Sequence, residues 1–252
     1  MESLQQALAQ AYRTILSDVP SHWLDRSRVD DPVYSKLSGL FLPGTSDAYL
    51  NARQRIMVVG RETRAWNVVT SDNPFIDLDD YIQRAMAKQQ RFISKALKLP
   101  QDKGASFFNF LRALARDHGE ESIAWANLFG LSWNGKSPMR WEYIRELGEI
   151  SKQLLKTQIE VLKPNVIIFA NGASSAKYRH QYFPHTGERS VCSRLGDYRT
   201  EGFPIGQLWR FHLYDSIPCF RIQHPSSISV GARAARQRLL EELRQQPPAG
   251  TR

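Results

Sequence analysis

The chain has 252 residues, 42% hydrophobic, 11% aromatic and 23% charged, which excludes general disorder and gives length for one large domain or two small ones. Its 34 Lys and Arg against 25 Asp and Glu leave a net charge of +9, which points to a polyanionic partner. No apolar run approaches the roughly 20 residues of a membrane-spanning helix, and the N-terminus has neither a basic segment nor an unbroken apolar one, so a cytoplasmic protein is expected.

In the first segment Leu4, Leu8, Ala11, Tyr12 and Ile15 recur on one face of a predicted helix over 2–16, and a loop rich in Asp, Pro and Ser follows. Residues 1–54 therefore read as a helical N-terminal extension. From Arg55 the pattern changes to short apolar runs over 56–59, 122–128, 165–170 and 218–222, as expected of strands buried on both faces. Helical spacing separates or follows them over 78–97, 106–117, 139–162 and 229–244. Strands alternating with helices predict an α/β domain with a largely parallel sheet over 55–245, and 246–252 is expected to be a disordered tail.

Charge is uneven: −2 over 1–50, +4 over 51–104, +1 over 105–176 and +6 over 177–252. In the last segment 11 of 12 cations are Arg, whose fork matches phosphate oxygens; a solvated helix face is the alternative. The two cysteines, Cys192 and Cys219, are too few for a disulfide scaffold, a four-thiolate zinc site or a four-cysteine iron–sulfur cluster, and read as ordinary thiols.

Ligands of open α/β sheets bind at the carboxyl ends of strands. Here those ends are polar. The first strand runs into Gly60-Arg61-Glu62-Thr63-Arg64-Ala65-Trp66, the second ends at Asn127-Leu128-Phe129, the third at Asn171-Gly172, and the fourth runs into His224-Pro225-Ser226-Ser227-Ile228-Ser229. The first turn lacks G-x-G-x-x-G and no G-x-x-x-x-G-K-[ST] occurs, which disfavours dinucleotide and P-loop folds.

On Gly60 to Glu62, on Asn127 and on the segment 224–229, in this order after these strands, the chain resembles the uracil-DNA glycosylase superfamily. The family's form of the last segment is His-Pro-Ser-Pro-Leu-Ser. The first loop is similar to Gly-Gln-Glu-Thr-Asn-Gly-Trp of a less-studied bacterial branch. The resemblance implies a three-layer α/β/α fold with a central four-stranded parallel sheet, no metal or other cofactor, double-stranded DNA as partner, and hydrolysis of the bond between base and deoxyribose; the cysteine count excludes the members with an iron–sulfur cluster, and a monomer is expected.

Such an enzyme extrudes a nucleotide and stabilises positive charge on the sugar and negative charge on the leaving base. Glu62 suits the sugar and can orient water; His224, at the family's donor position, suits the base carbonyl. Asn127 offers a donor and an acceptor to a base edge, and either Trp66 or Phe75 could stack on the base. The resemblance makes Ile228 the wedge in the base stack, within a DNA-contacting loop that includes Ser226 and Ser227. Arg61, Arg64, Arg233 and Arg236 are candidates for phosphate contacts.

Uracil-specific members carry Gly-Gln-Asp-Pro-Tyr-His, whose Tyr excludes a C5 methyl group. Arg64 stands at that Tyr position, Thr63 replaces Pro, and Glu62 is longer than Asp by about 1.5 Å. These departures suggest a modified pyrimidine as substrate, such as glucosylated hydroxymethylcytosine of phage DNA, and a role in antiviral defence. Repair of uracil or another deaminated base is the alternative, and a non-catalytic DNA-binding protein on the same fold is another. A nuclease is a weaker choice, since Asp77, Asp79 and Asp80 fall at an apparent helix start.

Overall fold

Three runs of wholly buried residues form β1 (Ile56–Gly60), β2 (Ile123–Asn127) and β3 (Val166–Phe169). With β4 (Cys192–Asp197), β5 (Leu208–Leu213) and β6 (Ile217–Ile222) they make one six-stranded sheet in the order β2-β1-β3-β6-β5-β4. The computed structural model describes residues 2–24, 31–70 and 73–245, so the tail expected over 246–252 lies outside the described residues.

The protein is thus α/β, with a mostly parallel sheet flanked by helices. β1 and β6 run parallel to β3, with Ile56 opposite Val166 and Ile167 opposite Cys219. β5 runs antiparallel to both β6 and β4. The expected four-stranded parallel sheet is therefore corrected to six strands. The additions lack the continuous apolar run of a strand covered on both faces: Arg210 in β5 is exposed, and only Cys192 of β4 is buried. Both cysteines are buried free thiols.

The helices are α1 (Leu4–Leu16), the single turn α2 (Ala48–Asn51), α3 (Leu78–Lys98), α4 (Ser106–His118), α5 (Ile144–Leu162), α6 (Ala176–Tyr182) and α7 (Val230–Gln245). The helix expected over 139–162 starts late. Pro138–Arg140 is a 3-10 turn, and buried Trp141 takes an extended conformation before α5.

Two compact units divide the chain, each built from three segments. One contains the residues up to Asp47 together with Arg61–Ile93 and Ala126–Leu162. Ser3 and Gln6 form a capping box that starts α1, and its apolar face, Leu4, Leu8, Tyr12 and Leu16, is buried. The Tyr12 hydroxyl donates to the Pro43 carbonyl at 2.9 Å. Ser38 and Ser132 join by backbone bonding, while Leu37, Leu40, Phe41 and Leu42 are buried.

The other unit contains Ala48–Gly60, Ser94–Trp125 and the residues from Lys163 onward. α7 buries Ala232, Ala235, Leu239 and Leu243. Much of the C-terminal Arg excess is structural here. The Arg179 guanidinium lies over the rings of Phe169, Trp209 and Phe211 at 5.9, 5.1 and 5.6 Å, and burial, with Arg221 behind it, lowers its pKa to about 10. Arg221 donates to the carbonyls of Gly206 and Ile205. Arg238 pairs with Glu201 and Glu242, and Arg244 donates to Asp117 at 2.7 Å.

The Arg244 contact ties α7 to the end of α4. Burial raises the Asp117 pKa, but Arg244 and Arg116 outweigh it, so the folded value lies below the ordinary 3.8. A depressed carboxyl stabilises the fold above its unfolded pKa and loses that contribution as pH falls through the folded value. Arg244→Met should therefore cost up to about 1 kcal/mol near neutral pH and nothing near pH 2, read by thermal unfolding across that range. A gap of the same size at both ends would contradict the pairing.

Candidate active site

The loop 61–66, which follows β1 in the chain, belongs to the first unit. Ala65 sits at φ 51, in the left-handed region that glycine favours and that costs other residues about 1–2 kcal/mol. The loop is fixed from the end of β2. The Asn127 side-chain amide donates to the Thr63 hydroxyl at 2.6 Å, and the Phe129 amide donates to the Arg61 carbonyl at 2.9 Å. Asn127 itself is 6% exposed. It therefore holds the loop as well as ending the strand.

Within this loop the Glu62 side chain is 2% exposed, and its oxygens accept from two guanidinium groups. Arg61 grips it with both arms, Nε to Oε2 at 2.6 Å and Nη2 to Oε1 at 2.9 Å. Arg64 Nε adds a contact to Oε1 at 3.4 Å. Both Arg residues expected on phosphates thus hold the candidate carboxylate. Their fork geometry serves either anion, so an incoming phosphate would compete with Glu62 for the same groups.

The two aromatic candidates differ. Trp66 is buried, with ring contacts to Phe41 at 5.3 Å and Phe92 at 5.6 Å and the Lys88 ammonium over it at 5.1 Å. It is a packed core ring. Phe75 is half-buried and meets Tyr81 edge-on at 5.2 Å, which leaves it the more accessible of the pair. The three Asp residues nearby serve α3: Asp77 accepts from the Asp80 amide, Asp80 pairs with Arg84, and Asp79 pairs with Arg13.

In the second unit β6 runs into the loop 224–229. The Ser226 backbone N–H donates to His224 Nδ1 at 3.2 Å, and the Ser226 hydroxyl lies 2.7 Å from the same nitrogen. A backbone amide can only donate, so Nδ1 is the acceptor, and a neutral ring then carries its proton on Nε2. The Ser227 amide closes the turn on the His224 carbonyl at 2.8 Å. Phe107, from α4, stacks on the imidazole with ring centroids 5.9 Å apart and planes 21° apart, which further fixes its orientation.

Past that turn Ile228 is 77% exposed and Val230 84% exposed, so two apolar side chains stand in solvent where α7 begins. The Ser229 hydroxyl caps the helix by accepting from the Ala232 amide at 3.2 Å. Arg233 is exposed, whereas Arg236 donates to the Ser227 carbonyl at 3.2 Å and braces the loop. Among the described residues no group of three or more His, Cys, Asp or Glu could hold a metal ion, and no helix is long and apolar enough to cross a membrane.

The structure brings Glu62, Arg61, Arg64, Thr63 and Asn127 together in one unit, and His224, Ser226, Ser227 and Arg236 in the other. Phe107 escaped the sequence reading, because nothing in the local pattern of α4 marks one of its rings for a distant imidazole. A scan against protein-family models and a search of curated proteins found no match for this chain.

The Thr63 hydroxyl takes a bond from a buried amide. Thr63→Val, which keeps the shape and removes the acceptor, should destabilise the fold by about 1–3 kcal/mol in denaturant titration, and Thr63→Ser should recover most of it. Equal stability of all three proteins would show that the bond contributes nothing.

Proposed function

We propose that the protein is a DNA glycosylase: it extrudes a base from double-stranded DNA and hydrolyses its N-glycosidic bond, on a three-layer α/β/α fold of the uracil-DNA glycosylase kind. The observation that carries this reading is the His224 turn. With Nδ1 accepting from the Ser226 amide, a neutral imidazole presents Nε2–H as a donor, which is what the carbonyl oxygen of a departing pyrimidine requires as it gains negative charge. Glu62 supplies the complementary charge for the sugar cation. Asn127 contributes to recognition of the base edge and Phe75 a ring for stacking.

Exposed Ile228 and Val230 suit insertion into the base stack, and Arg233 suits a neighbouring phosphate. Because Arg61 and Arg64 occupy Glu62, DNA binding would draw one or both toward phosphate and unmask the carboxylate. The substrate is a modified pyrimidine, with glucosylated hydroxymethylcytosine as the leading candidate, since Arg64 replaces the Tyr that bars C5 substituents in uracil-specific enzymes. The same grip on Glu62 supports a second reading, a protein that binds DNA without cleaving it.

Duplexes bearing uracil, hypoxanthine, hydroxymethylcytosine or its glucosylated form, treated with the protein and then alkali, separate these readings. Breaks at the modified cytosine are expected, with a loss of about 100-fold or more in Glu62→Gln. Breaks at uracil alone would overturn the defence role. No breaks in any duplex, with binding retained in Glu62→Gln, would leave the non-catalytic reading.

A further inference from the structure

β3 and β6 are neighbours that run parallel, so their carboxyl ends leave the sheet at one edge. Asn171 follows the last residue of β3 by two positions, as His224 follows the last residue of β6. The two turns touch. Gly172 sits at φ 75, and a Cβ there would lie 3.5 Å from both the Cβ and the backbone nitrogen of His224. That distance is ordinary van der Waals contact, so the positive φ is what favours glycine at 172.

Asn171 is 1% exposed, and neither its side-chain oxygen nor its side-chain nitrogen has a hydrogen-bond partner among the described residues. Its backbone carbonyl, in contrast, accepts from the Ser175 hydroxyl at 2.8 Å, which holds the turn in place. A buried amide with both ends unpaired destabilises a fold, and an apolar side chain of the same size would pack there without that penalty. A buried group of this kind calls for a physical explanation, and a ligand that supplies the missing partners is one. The ligand must offer a donor and an acceptor side by side, which describes the polar edge of a pyrimidine.

We infer that Asn171 is a base-recognition residue, pairing through its amide with the donor–acceptor edge of the pyrimidine whose carbonyl His224 contacts. This deepens the glycosylase reading and rests on it for the identity of the bound group.

Asn171→Leu removes both polar ends at nearly constant volume, and Asn171→Ala provides a smaller variant should leucine fail to fold. Thermal unfolding, binding of free cytosine, 5-hydroxymethylcytosine and uracil followed by NMR, and excision from the modified duplexes are compared with the wild type. The leucine variant should melt no lower than the wild type, bind the pyrimidine at least about tenfold more weakly and lose excision in proportion. Lower melting with unchanged pyrimidine affinity in either folded variant would overturn the inference and make the amide a structural group. Excision that survives in the variants overturns it while sustaining the glycosylase. Pyrimidine binding that depends on Asn171 in a wild type that excises nothing sustains it and overturns the glycosylase.

Discussion

The constraint on which the site depends is the burial of β1, β3 and β6 as adjacent parallel strands. Of their residues, only Ile217 and Pro218 at the start of β6 are not fully buried, and side chains capable of chemistry are displaced to the turns that follow. Parallel direction then brings the turns after β3 and β6 to the same end of the sheet. The exception within the strands, Arg221, has its guanidinium hydrogen-bonded by backbone carbonyls instead of paired with a carboxylate. A polar group just after a strand end meets a different situation, since a partner there can come from a loop or from a ligand.

Hydrogen bonding in these turns decides what each polar group can offer. The Ser226 amide sets the His224 tautomer, while Arg61 and Arg64 occupy the oxygens of Glu62. One residue is thereby readied to donate and the other held by cations. The same account revises the meaning of the +9 charge. Arg179, Arg221, Arg238 and Arg244 serve packing or internal ion pairs, and Arg236 braces a loop, so the cations left for an external polyanion are fewer than the composition suggests.

Sequence legibility followed the physics of burial. The four apolar runs were readable as strands, because they are too short for helices, are bounded by Gly, Pro or Asn, and are rich in β-branched or aromatic residues. β4 and β5 were not, because Arg210 and His212 interrupt the pattern and an edge strand needs little apolar surface. Glu62 and His224 were legible as residues just after strands, and Asn127 as a strand end. Their partners were less so: the Arg grip on Glu62 and the Phe107 stack on His224 depend on side-chain placement that spacing does not specify. Trp66 shows the reverse error, since an aromatic residue beside a motif reads as a platform and packs as core.

The central claim is that His224 presents a proton from Nε2. The nitrogen chemical shifts of its imidazole, assigned by comparison with His224→Gln at pH near 7.5, test it most directly. The account predicts a neutral ring with a protonated Nε2 and an acceptor-type Nδ1, unchanged when DNA is added. A ring protonated on Nδ1, with Nε2 as the acceptor, would contradict it, because Nε2 would then have no proton to donate.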